Sequence, residues 1–373
     1  MNSPDFSICM FCDNEGFLWM PTLLSLHKIK YLFCTEEKIK NYFIESYNLY
    51  NIKTNTNNNA VKFLEDLKDE KIDLLFLALS TNKFHELIIE YVITQKRIYN
   101  IFSTTLPTLS IQKMQHFKSL MNNFNPNLNI MYDIKKEYKH INKQFYWNIF
   151  NPLINGRVFH NLKNMMEELG DIYSVQIEST YIPFLVENED IKNILFYRTV
   201  LIMSLIEFLF PNPKIVLGKN YSINAENLKI NCLSGHVAFN NLNCYFNISV
   251  NSLSKIFSLI VYGANGFIDV SYNKEHNCFQ LQRCQNHYEY PNLFAEDSQN
   301  YALSEMQYFL DAELYTNKYI NTYINAMYIA ICFWESDGET ISVTRKQTND
   351  NTNMVKEDSK ELHNHSKKGV LTN

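Results

Sequence analysis

The chain has 373 residues, 46% of them hydrophobic and 20% charged, which is enough apolar material for two domains with large cores. Its formal net charge is -5 and its Lys and Arg form no sustained basic stripe, so the sequence predicts no nucleic-acid partner. The 8 Cys are scattered and the first twelve residues do not resemble a secretory signal, so we expect a cytoplasmic protein with free thiols.

Apolar runs alternate with longer amphipathic stretches in the first half of the chain, a pattern typical of a parallel sheet with helices on both faces. The clearest run is DLLFLAL at 73–79, as expected for a strand that is buried on both sides. The predicted strands are 6–12, 29–34, 73–79, 98–102 and 128–132, and the predicted helices are 17–27, 36–47, 60–67, 83–94 and 110–121. An Asn-rich turn, TNTNNN, precedes the third helix. This order predicts a doubly wound, dinucleotide-binding layout.

Strands dominate the second half of the chain. The predicted strands are 172–180, 214–217, 228–232, 236–250, 257–262, 267–272, 278–283 and 340–344, and the predicted helices are 161–169, 191–210, 301–314 and 321–333. Strands in succession closed by helices predict an open, mainly antiparallel sheet with helices on one face. The most apolar segment, 191–210, carries Lys192, Arg198 and Glu207. We therefore interpret it as a buried core helix and expect no membrane partner.

The predicted fold class is thus α/β, with two domains and a tail. The doubly wound parallel sheet occupies 1–133, and an α+β domain with the open, mainly antiparallel sheet occupies 134–345. The remaining residues, 346–373, are polar and nearly free of large apolar side chains, which predicts a disordered tail.

Three local signatures resemble the Gfo/Idh/MocA family, the glucose–fructose oxidoreductase-like proteins. The stretch LSTNKFHELIIEYVITQKRI resembles the family's Thr-Pro-Asn-x-x-His motif, helix and Lys-His-Val, with matches at Ser80, Asn82, His85, Lys96 and Ile98 and with Thr81 in place of Pro. VYGANGFIDV resembles the family's Gly-x-x-Gly turn in the C-terminal sheet. INAMYIAICFWESDGETISV resembles the closing helix and its Ser-x-x-Gly end, with matches at Ala326, Ala330, Ser336, Gly338 and Val343. KNMMEELGDIYSVQIE is a weaker match.

The resemblance covers about nine-tenths of the chain and carries expectations of fold and function. It implies an N-terminal Rossmann domain that binds NAD or NADP, joined to a C-terminal sheet domain. It implies a small polyol, sugar or ketone-like ligand in the cleft between them. It also implies a homo-oligomer formed through the exposed face of the C-terminal sheet.

The cofactor-binding residues that the resemblance implies are Cys12, Asp13, Gly16, Thr35, Glu36, Ser80, Asn82 and His85. The family places G-x-G-x-x-G/A after its first strand, where glycines let the helix N-terminus meet the pyrophosphate. This chain keeps only Gly16, and Asp13 and Glu15 would repel a phosphate. Glu36 is nearest to the family's ribose-binding acid, but ordinary first-turn helix charge also explains it. His85 has an alternative interpretation as a structural histidine at a helix start.

The family's catalytic Lys and His have no counterparts at the matching positions. Ser103 and Thr104 follow the fifth strand where the family has its Lys, and they could hydrogen-bond a ligand. Matching helix ends places the family's His and Asp near Leu201 and Ser204, and the chain has no His between 160 and 236. The remaining weak catalytic candidates are Tyr197, Arg198 and Ser103.

Three hypotheses remain open. The first is an oxidoreductase-like protein with weak or altered dinucleotide binding, and the second is a non-catalytic scaffold or interaction protein that kept the fold. The third uses cysteine chemistry, since Cys9-x-x-Cys12 has redox-pair spacing. A zinc site would need His276, Cys278, Cys284 and His287, but FQLQR between them alternates like a plain strand, so we predict no metal.

Overall fold

The computed structural model describes residues 7–14, 16–26, 29–56, 59–80, 83–95, 98, 100–124, 146–181, 188–225, 228–250, 257–273, 278–285, 294–297 and 319–343. The described residues up to Val343 belong to one compact unit. Within it lie two sheets, one of six strands and one of nine. The first is wholly parallel and the second is mixed and mainly antiparallel, which confirms the predicted α/β fold class.

The six-stranded sheet has the order β3-β2-β1-β4-β5-β6. Its strands are β1 (Ile8–Cys12), β2 (Ile29–Cys34), β3 (Lys53–Asn55), β4 (Leu74–Ala78), β5 (Asn100–Ser103) and β6 (Tyr146–Ile149). Its helices are α1 (Gly16–Leu26), α2 (Glu37–Tyr47), α3 (Ala60–Asp66), α4 (Lys83–Gln95) and α5 (Ile111–Phe124). The strand order reverses between β1 and β4, and doubly wound sheets bind their ligands in the crevice at this switch point.

Alternation along β1 explains how one strand supplies two cores. Cys9 and Phe11 face a cluster that includes Phe33 and Phe63, whereas Met10 and Cys12 belong to the cluster on the other side of the sheet. All five residues of β1 are buried. A strand covered by helices on both faces must be apolar throughout, which is why the run reads as continuously hydrophobic.

The nine-stranded sheet has the order β14-β13-β12-β11-β7-β10-β9-β8-β15, and β7 and β10 form its parallel pair. Its strands are β7 (Ile172–Tyr181), β8 (Ile215–Ala225), β9 (Leu228–Ala238), β10 (Asn243–Val250), β11 (Phe257–Gly263), β12 (Gly266–Asn273), β13 (Cys278–Gln285), β14 (Phe294–Asp297) and β15 (Ile341–Ser342). Its helices are α6 (Pro152–Asn155), α7 (Arg157–Met165), α8 (Asn188–Leu209) and α9 (Ile320–Glu335), with a 3-10 turn at Met166–Leu169.

Helices cover one face of this sheet, which we call the inner face. Along β10, Cys244 and Phe246 are buried against them, while Asn243, Tyr245 and Asn247 point to the other, outer face. Helix α9 lies so close that a Cβ on Gly218 would come within 2.5 Å of the Phe333 carbonyl oxygen. The inner face therefore requires glycine where the helix backbone crosses the strand.

The predicted elements differ from the structure in several places, among them the strand predicted at 214–217, which is β8 and extends to Ala225, and β14, which was not predicted. The predicted strand 236–250 is the end of β9 plus β10, because the chain turns where the Phe239 amide donates to the Leu242 carbonyl (2.8 Å). Part of the predicted Asn-rich turn is β3. The final strand of the parallel sheet is β6, which lies in the stretch assigned to the second domain. The predicted strand 128–132, helix 301–314 and tail 346–373 lie outside the described residues, and the domain boundary stays a prediction.

The long apolar helix lies in the core, as the sequence predicts. Along α8, Leu195, Met203 and Ile206 are fully buried. Within the described part of the chain, no helix is long and apolar enough to cross a membrane.

Candidate functional site

The carboxyl ends of β1, β4 and β5 meet at the switch point, where the sequence analysis places the cofactor-binding residues. Gly16 begins α1 directly above the end of β1, and a Cβ there would lie 2.7 Å from Cβ of Cys12. It would also lie 3.2 Å from the Phe43 ring. Only glycine allows so close an approach, so the single glycine that the chain keeps makes a tight strand-to-helix turn.

Cys12 is a buried, neutral thiol beneath this turn. Its Sγ lies 3.5 Å from Sγ of Cys34 on the neighbouring strand. This hydrogen bond, together with burial, raises the pKa of the Cys12 thiol well above its ordinary value. Cys9 faces the opposite side of the sheet, so Cys9 and Cys12 do not form the pair that their spacing suggested. A thiol that stays protonated is a poor nucleophile.

Asp13 joins the ends of β1 and β4 across the switch point. Its Oδ2 accepts hydrogen bonds from the Ser80 amide and from the Ser80 hydroxyl, both at 2.7 Å. The Asp13 amide donates to the Ala78 carbonyl (3.1 Å). We call the two side-chain bonds the Asp13–Ser80 clasp. The clasp puts a carboxylate at the position where other proteins of this fold bind a phosphate. The Ser80 donors at that position are already hydrogen-bonded to it.

Thr35 and Glu36 lie at the end of β2, beside the same turn. The Thr35 amide donates to the Cys12 carbonyl (3.0 Å). Glu36 is exposed and takes the extended conformation before α2 without a side-chain capping bond. Asn82 lies outside the described residues. Five of the eight predicted cofactor residues, namely Cys12, Asp13, Gly16, Thr35 and Ser80, are thus brought together by these contacts.

His85 is buried in the first turn of α4. Its Nε2 lies 3.4 Å from Oγ of Ser103, and Nε1 of Trp147 donates to the same hydroxyl at 2.9 Å. Burial lowers the pKa of His85 to about 3, against a smaller opposing effect of a hydrogen bond with the Ser80 backbone. The imidazole is therefore neutral at physiological pH, and the Ser103 hydroxyl is already engaged by two neighbours.

The loop after β5 leaves one buried hydroxyl without a partner. Within the described residues, Oγ1 of Thr104 makes no hydrogen bond, although its side chain is buried. The neighbouring Thr105 hydroxyl donates to the Leu79 carbonyl. A buried polar atom without a partner carries a desolvation cost that a water molecule or a ligand group would remove.

Helix α8 carries Leu201 and Ser204, near which the sequence analysis placed the family's catalytic pair. Leu201 and Ser204 are both buried, and the Ser204 hydroxyl donates to the Leu201 carbonyl at 2.7 Å. That hydroxyl also accepts from the Asn151 amide nitrogen at 2.8 Å. Tyr197 and Arg198 are half-buried on the same helix. The Asn151–Ser204 bond lies close to the parallel sheet, where the Tyr323 hydroxyl of α9 donates to the Ile149 carbonyl of β6 (3.0 Å).

Metal ligands do not converge in the described part of the chain, where no group of three or more His, Cys, Asp or Glu could hold an ion. Of the zinc candidates, Cys284 is half-buried on β13. His276, His287 and the side chain of Cys278 lie outside the described residues.

No family model and no curated protein matches this sequence. Solved structures do match. Biliverdin reductase from Synechocystis sp. PCC 6803, in complex with biliverdin and NADP+, is similar over 88% of this chain and 98% of its own, with 11% identity and a TM-score of 0.65. An Agrobacterium radiobacter oxidoreductase in complex with NAD+, L-tartaric acid and magnesium matches over 91% and 98%, with 9% identity and a TM-score of 0.63.

The third likeness is to a protein that is not described as an enzyme. The transcriptional regulator Gal80p from Kluyveromyces lactis matches over 91% of this chain and 92% of its own, with 12% identity and a TM-score of 0.64. At these identities the likenesses show the fold alone. That fold is the Rossmann domain and C-terminal sheet of the Gfo/Idh/MocA-type oxidoreductases, as the resemblance implied.

Sequence reasoning missed three residues of this site. Trp147 lies on β6, and the sequence analysis placed the last strand of this sheet at 128–132 instead. Its residue type was a usable signal, because Trp is rare in the chain and its N–H needs a partner when buried. Asn151 and Cys34 are recognisable only from their partners, Ser204 and Cys12. Both pairs are more than twenty residues apart in sequence, so no local pattern could have indicated them.

Proposed function

We propose that this protein is a non-catalytic interaction protein that has kept an oxidoreductase fold. The Asp13–Ser80 clasp carries the proposal, because it puts a negative charge at the turn that would receive the pyrophosphate. It also uses the Ser80 amide and hydroxyl, two donors that a phosphate would otherwise take. Charge repulsion and lost donors act in the same direction, against a dinucleotide.

The acid–base groups support the same proposal. A hydride-transfer enzyme needs a proton donor or acceptor whose pKa lies near the working pH. The pKa of His85 is about 3, so its imidazole does not carry a proton to donate. Leu201 and Ser204, at the positions of the family's catalytic pair, are buried and packed. Tyr197 and Arg198 on α8 would then serve packing, and catalysis would have no positioned proton donor.

The interaction surface in this proposal is the outer face of the nine-stranded sheet. Tyr173, Tyr221, Tyr245 and Phe267 on strands of this sheet are at least 36% exposed. Exposed aromatic side chains are enriched at protein–protein interfaces. We propose that a second copy of the chain covers this face, in a reducing compartment such as the cytoplasm, where the buried thiols stay free.

A specific observation favours a second candidate, a protein that binds a small ligand or dinucleotide without turning it over. The buried Thr104 hydroxyl has no partner in the described structure and lies at the end of β5, next to the switch point. Gly16 keeps the close turn that NAD or NADP would need. In that case the cleft would hold NAD or NADP, or a small polyol, sugar or ketone-like molecule, and Thr104 would hydrogen-bond it.

Titration with NADPH and NADH separates the two candidates. A ligand at 100 times its Kd stabilises the native state by about 2.7 kcal/mol, which a thermal shift detects. We expect no shift with the natural protein at millimolar cofactor. A clear shift would overturn the leading proposal. An Asp13→Asn variant, which removes the charge, tests the clasp, because it alone should gain binding if the carboxylate is the barrier. Glu45→Gln, an exposed acid on α2, is the matched control.

A further inference from the structure

The ends of β1 and β2 bring two thiols together beneath the Gly16 turn. Cys12 is the last residue of β1 and Cys34 is the last residue of β2, and the parallel register pairs them directly. Their Sγ atoms lie 3.5 Å apart. Both side chains belong to the same apolar cluster and both are fully buried. Among the described cysteines, these two alone lie within hydrogen-bonding reach of each other.

The backbone under this pair has the spacing that a disulfide needs. Neighbouring strands lie about 4.8 Å apart, and most disulfides join Cα atoms that are about 4.4–6.8 Å apart. A sulfur–sulfur bond is about 2.05 Å long, so the two Sγ atoms would have to approach each other by about 1.5 Å. Rotation about the two Cα–Cβ bonds can supply this movement, so the strands can keep their register.

The pair is buried, but the chain reaches solvent within two residues of it. Cys12 is followed by half-buried Asp13 and then by exposed Asn14. The Asp13–Ser80 clasp holds this turn against the end of β4. Opening of the clasp would therefore admit a molecule of about the size of water, such as hydrogen peroxide, to the two sulfur atoms.

We propose that Cys12 and Cys34 form a reversible disulfide when a peroxide reaches them through the opened turn. One sulfur attacks a peroxide oxygen, which breaks the O–O bond and gives a sulfenic acid and one water molecule. The second sulfur attacks the sulfenic sulfur, and the S–S bond forms as a second water molecule leaves. Two electrons have then passed from the thiols to the peroxide, and both thiol protons are in water. Thiol reductants reverse the change.

The surroundings of the resting pair protect it against this reaction. The hydrogen bond with Cys34, together with burial, raises the pKa of the Cys12 thiol, and the thiolate is the form that attacks a peroxide. Opening of the turn hydrates the pair and removes part of this barrier. The rate of oxidation should therefore follow the population of the opened turn. In a reducing compartment such a disulfide is transient, as is usual for redox-sensing cysteines.

Oxidation would fix the two strand ends that carry most of the candidate cofactor residues. A Cβ on Gly16 would lie 3.2 Å from Sγ of Cys12, so the turn packs directly on this sulfur. The Thr35 amide, next to Cys34, donates to the Cys12 carbonyl. The crosslink would thus make the position of the turn depend on oxidation state. This chemistry needs no dinucleotide and no second copy of the chain, so it is independent of the proposed function.

Peroxide treatment of the natural protein, followed by peptide mapping, tests the disulfide. Remaining thiols are blocked with N-ethylmaleimide in denaturant, and mass spectrometry identifies the crosslinked peptides. We expect a Cys12–Cys34 crosslink as the first disulfide within the chain, and dithiothreitol should remove it. Cys34→Ala should prevent it, whereas Cys9→Ala, on the opposite side of the sheet, should not. A first disulfide elsewhere in the chain, or a pair that stays reduced after half-buried Cys284 has been oxidised, would overturn the proposal.

The rate of crosslinking tests the route through the turn. Ser80→Ala removes one of the two bonds of the clasp, so the opened turn should be more populated. We expect the crosslink to form about fivefold faster, the factor that one lost hydrogen bond gives. Ser46→Ala, exposed on α2, should leave the rate unchanged, and thermal unfolding checks that both variants fold. Equal rates in Ser80→Ala and the natural protein would show that peroxide does not enter through the turn, which contradicts the proposal.

Discussion

The switch-point crevice and the outer face of the nine-stranded sheet differ in the side chains that they leave available. At the crevice, the Asp13 carboxylate is bound by Ser80 and the Ser103 hydroxyl by Trp147, and the buried Thr104 hydroxyl is the exception among these groups. On the outer face, the rings of Tyr245 and Phe267 are exposed. Polar groups that are satisfied inside the chain stabilise it, whereas exposed aromatic surface favours binding to a partner.

Under the proposed function, this difference is how the fold keeps its architecture while its function changes. The strand order and the tight turn at Gly16 depend on backbone geometry, which the core enforces. Ligand chemistry depends on a few side chains, and these can change without disturbing the core. The crevice keeps the tight turn at Gly16, but Asp13, Ser80 and Ser103 beside it are hydrogen-bonded within the chain. The predictions below test that contrast, from the largest expected effect to the smallest.

Acid should destabilise the protein through His85. Its folded pKa of about 3 is below the ordinary value of 6.5, so the unfolded chain binds a proton that the folded chain does not. The stabilisation is complete above about pH 6.5 and is lost as pH falls toward 3, at up to about 1.4 kcal/mol per pH unit. Urea unfolding at several pH values should show this slope. His85→Gln should flatten it, and His116→Gln, on exposed α5, should not. An unchanged slope in His85→Gln would mean that the imidazole is not buried and neutral.

Much of the fold can be predicted from local sequence patterns, and the elements that could not be predicted have physical reasons. The run at 73–79 predicts β4 because a doubly covered strand must be apolar, and the glycines of YGANGF mark the tight turn between β11 and β12. The break between β9 and β10 was missed although Asn240 and Asn241 interrupt the alternation and are residues typical of a turn. Three-residue β3 has too few side chains to carry a pattern. Strand order itself depends on contacts far apart in sequence.

The inner face of the nine-stranded sheet should be much less tolerant than the outer face. A Cβ on Gly235 would lie 1.9 Å from the Leu217 carbonyl oxygen. Gly235→Ala must therefore displace a strand backbone, and we expect a loss of about 1–3 kcal/mol in the free energy of unfolding. Chemical denaturation measures it. Asn243→Ala, an exposed outer-face position on β10, should change stability by less than about 0.5 kcal/mol. Equal effects at both positions would contradict the assignment of the two faces.

The crevice network should behave as one cooperative unit. Ser103→Ala leaves Nε1 of Trp147 buried without its acceptor, at an expected cost of about 1–2 kcal/mol. Trp147→Phe removes the donor and some packing. The double variant should lose less than the sum of the two single losses, because the unsatisfied atom is then gone. Strict additivity in denaturant unfolding would show that the hydroxyl and the indole do not interact.

The candidate site was less predictable than the fold, and the reason lies in sequence separation. Glycine at the turn after β1 is a local requirement, so Gly16 could be identified from the sequence. The clasp joins residues 67 apart, and Trp147 joins a residue 44 apart. Side chains at such distances meet only after strand order and register are known. The sequence therefore predicted Asp13, Ser80 and Ser103 as candidate site residues but not that they would bond to other parts of the chain.

The smallest expected effect is at the middle of the outer face. Glu178 is exposed there on β7, the fifth of the nine strands, so a second copy centred on this face brings Glu178 near its own counterpart. Two like charges about 10 Å apart in water repel by about 0.4 kcal/mol. Glu178→Gln should therefore tighten self-association by about twofold at low salt, and the gain should shrink near physiological salt, where screening acts over about 8 Å. Glu90→Gln, exposed on α4, should show no such gain. Weaker association of Glu178→Gln would place the centre of the interface away from β7.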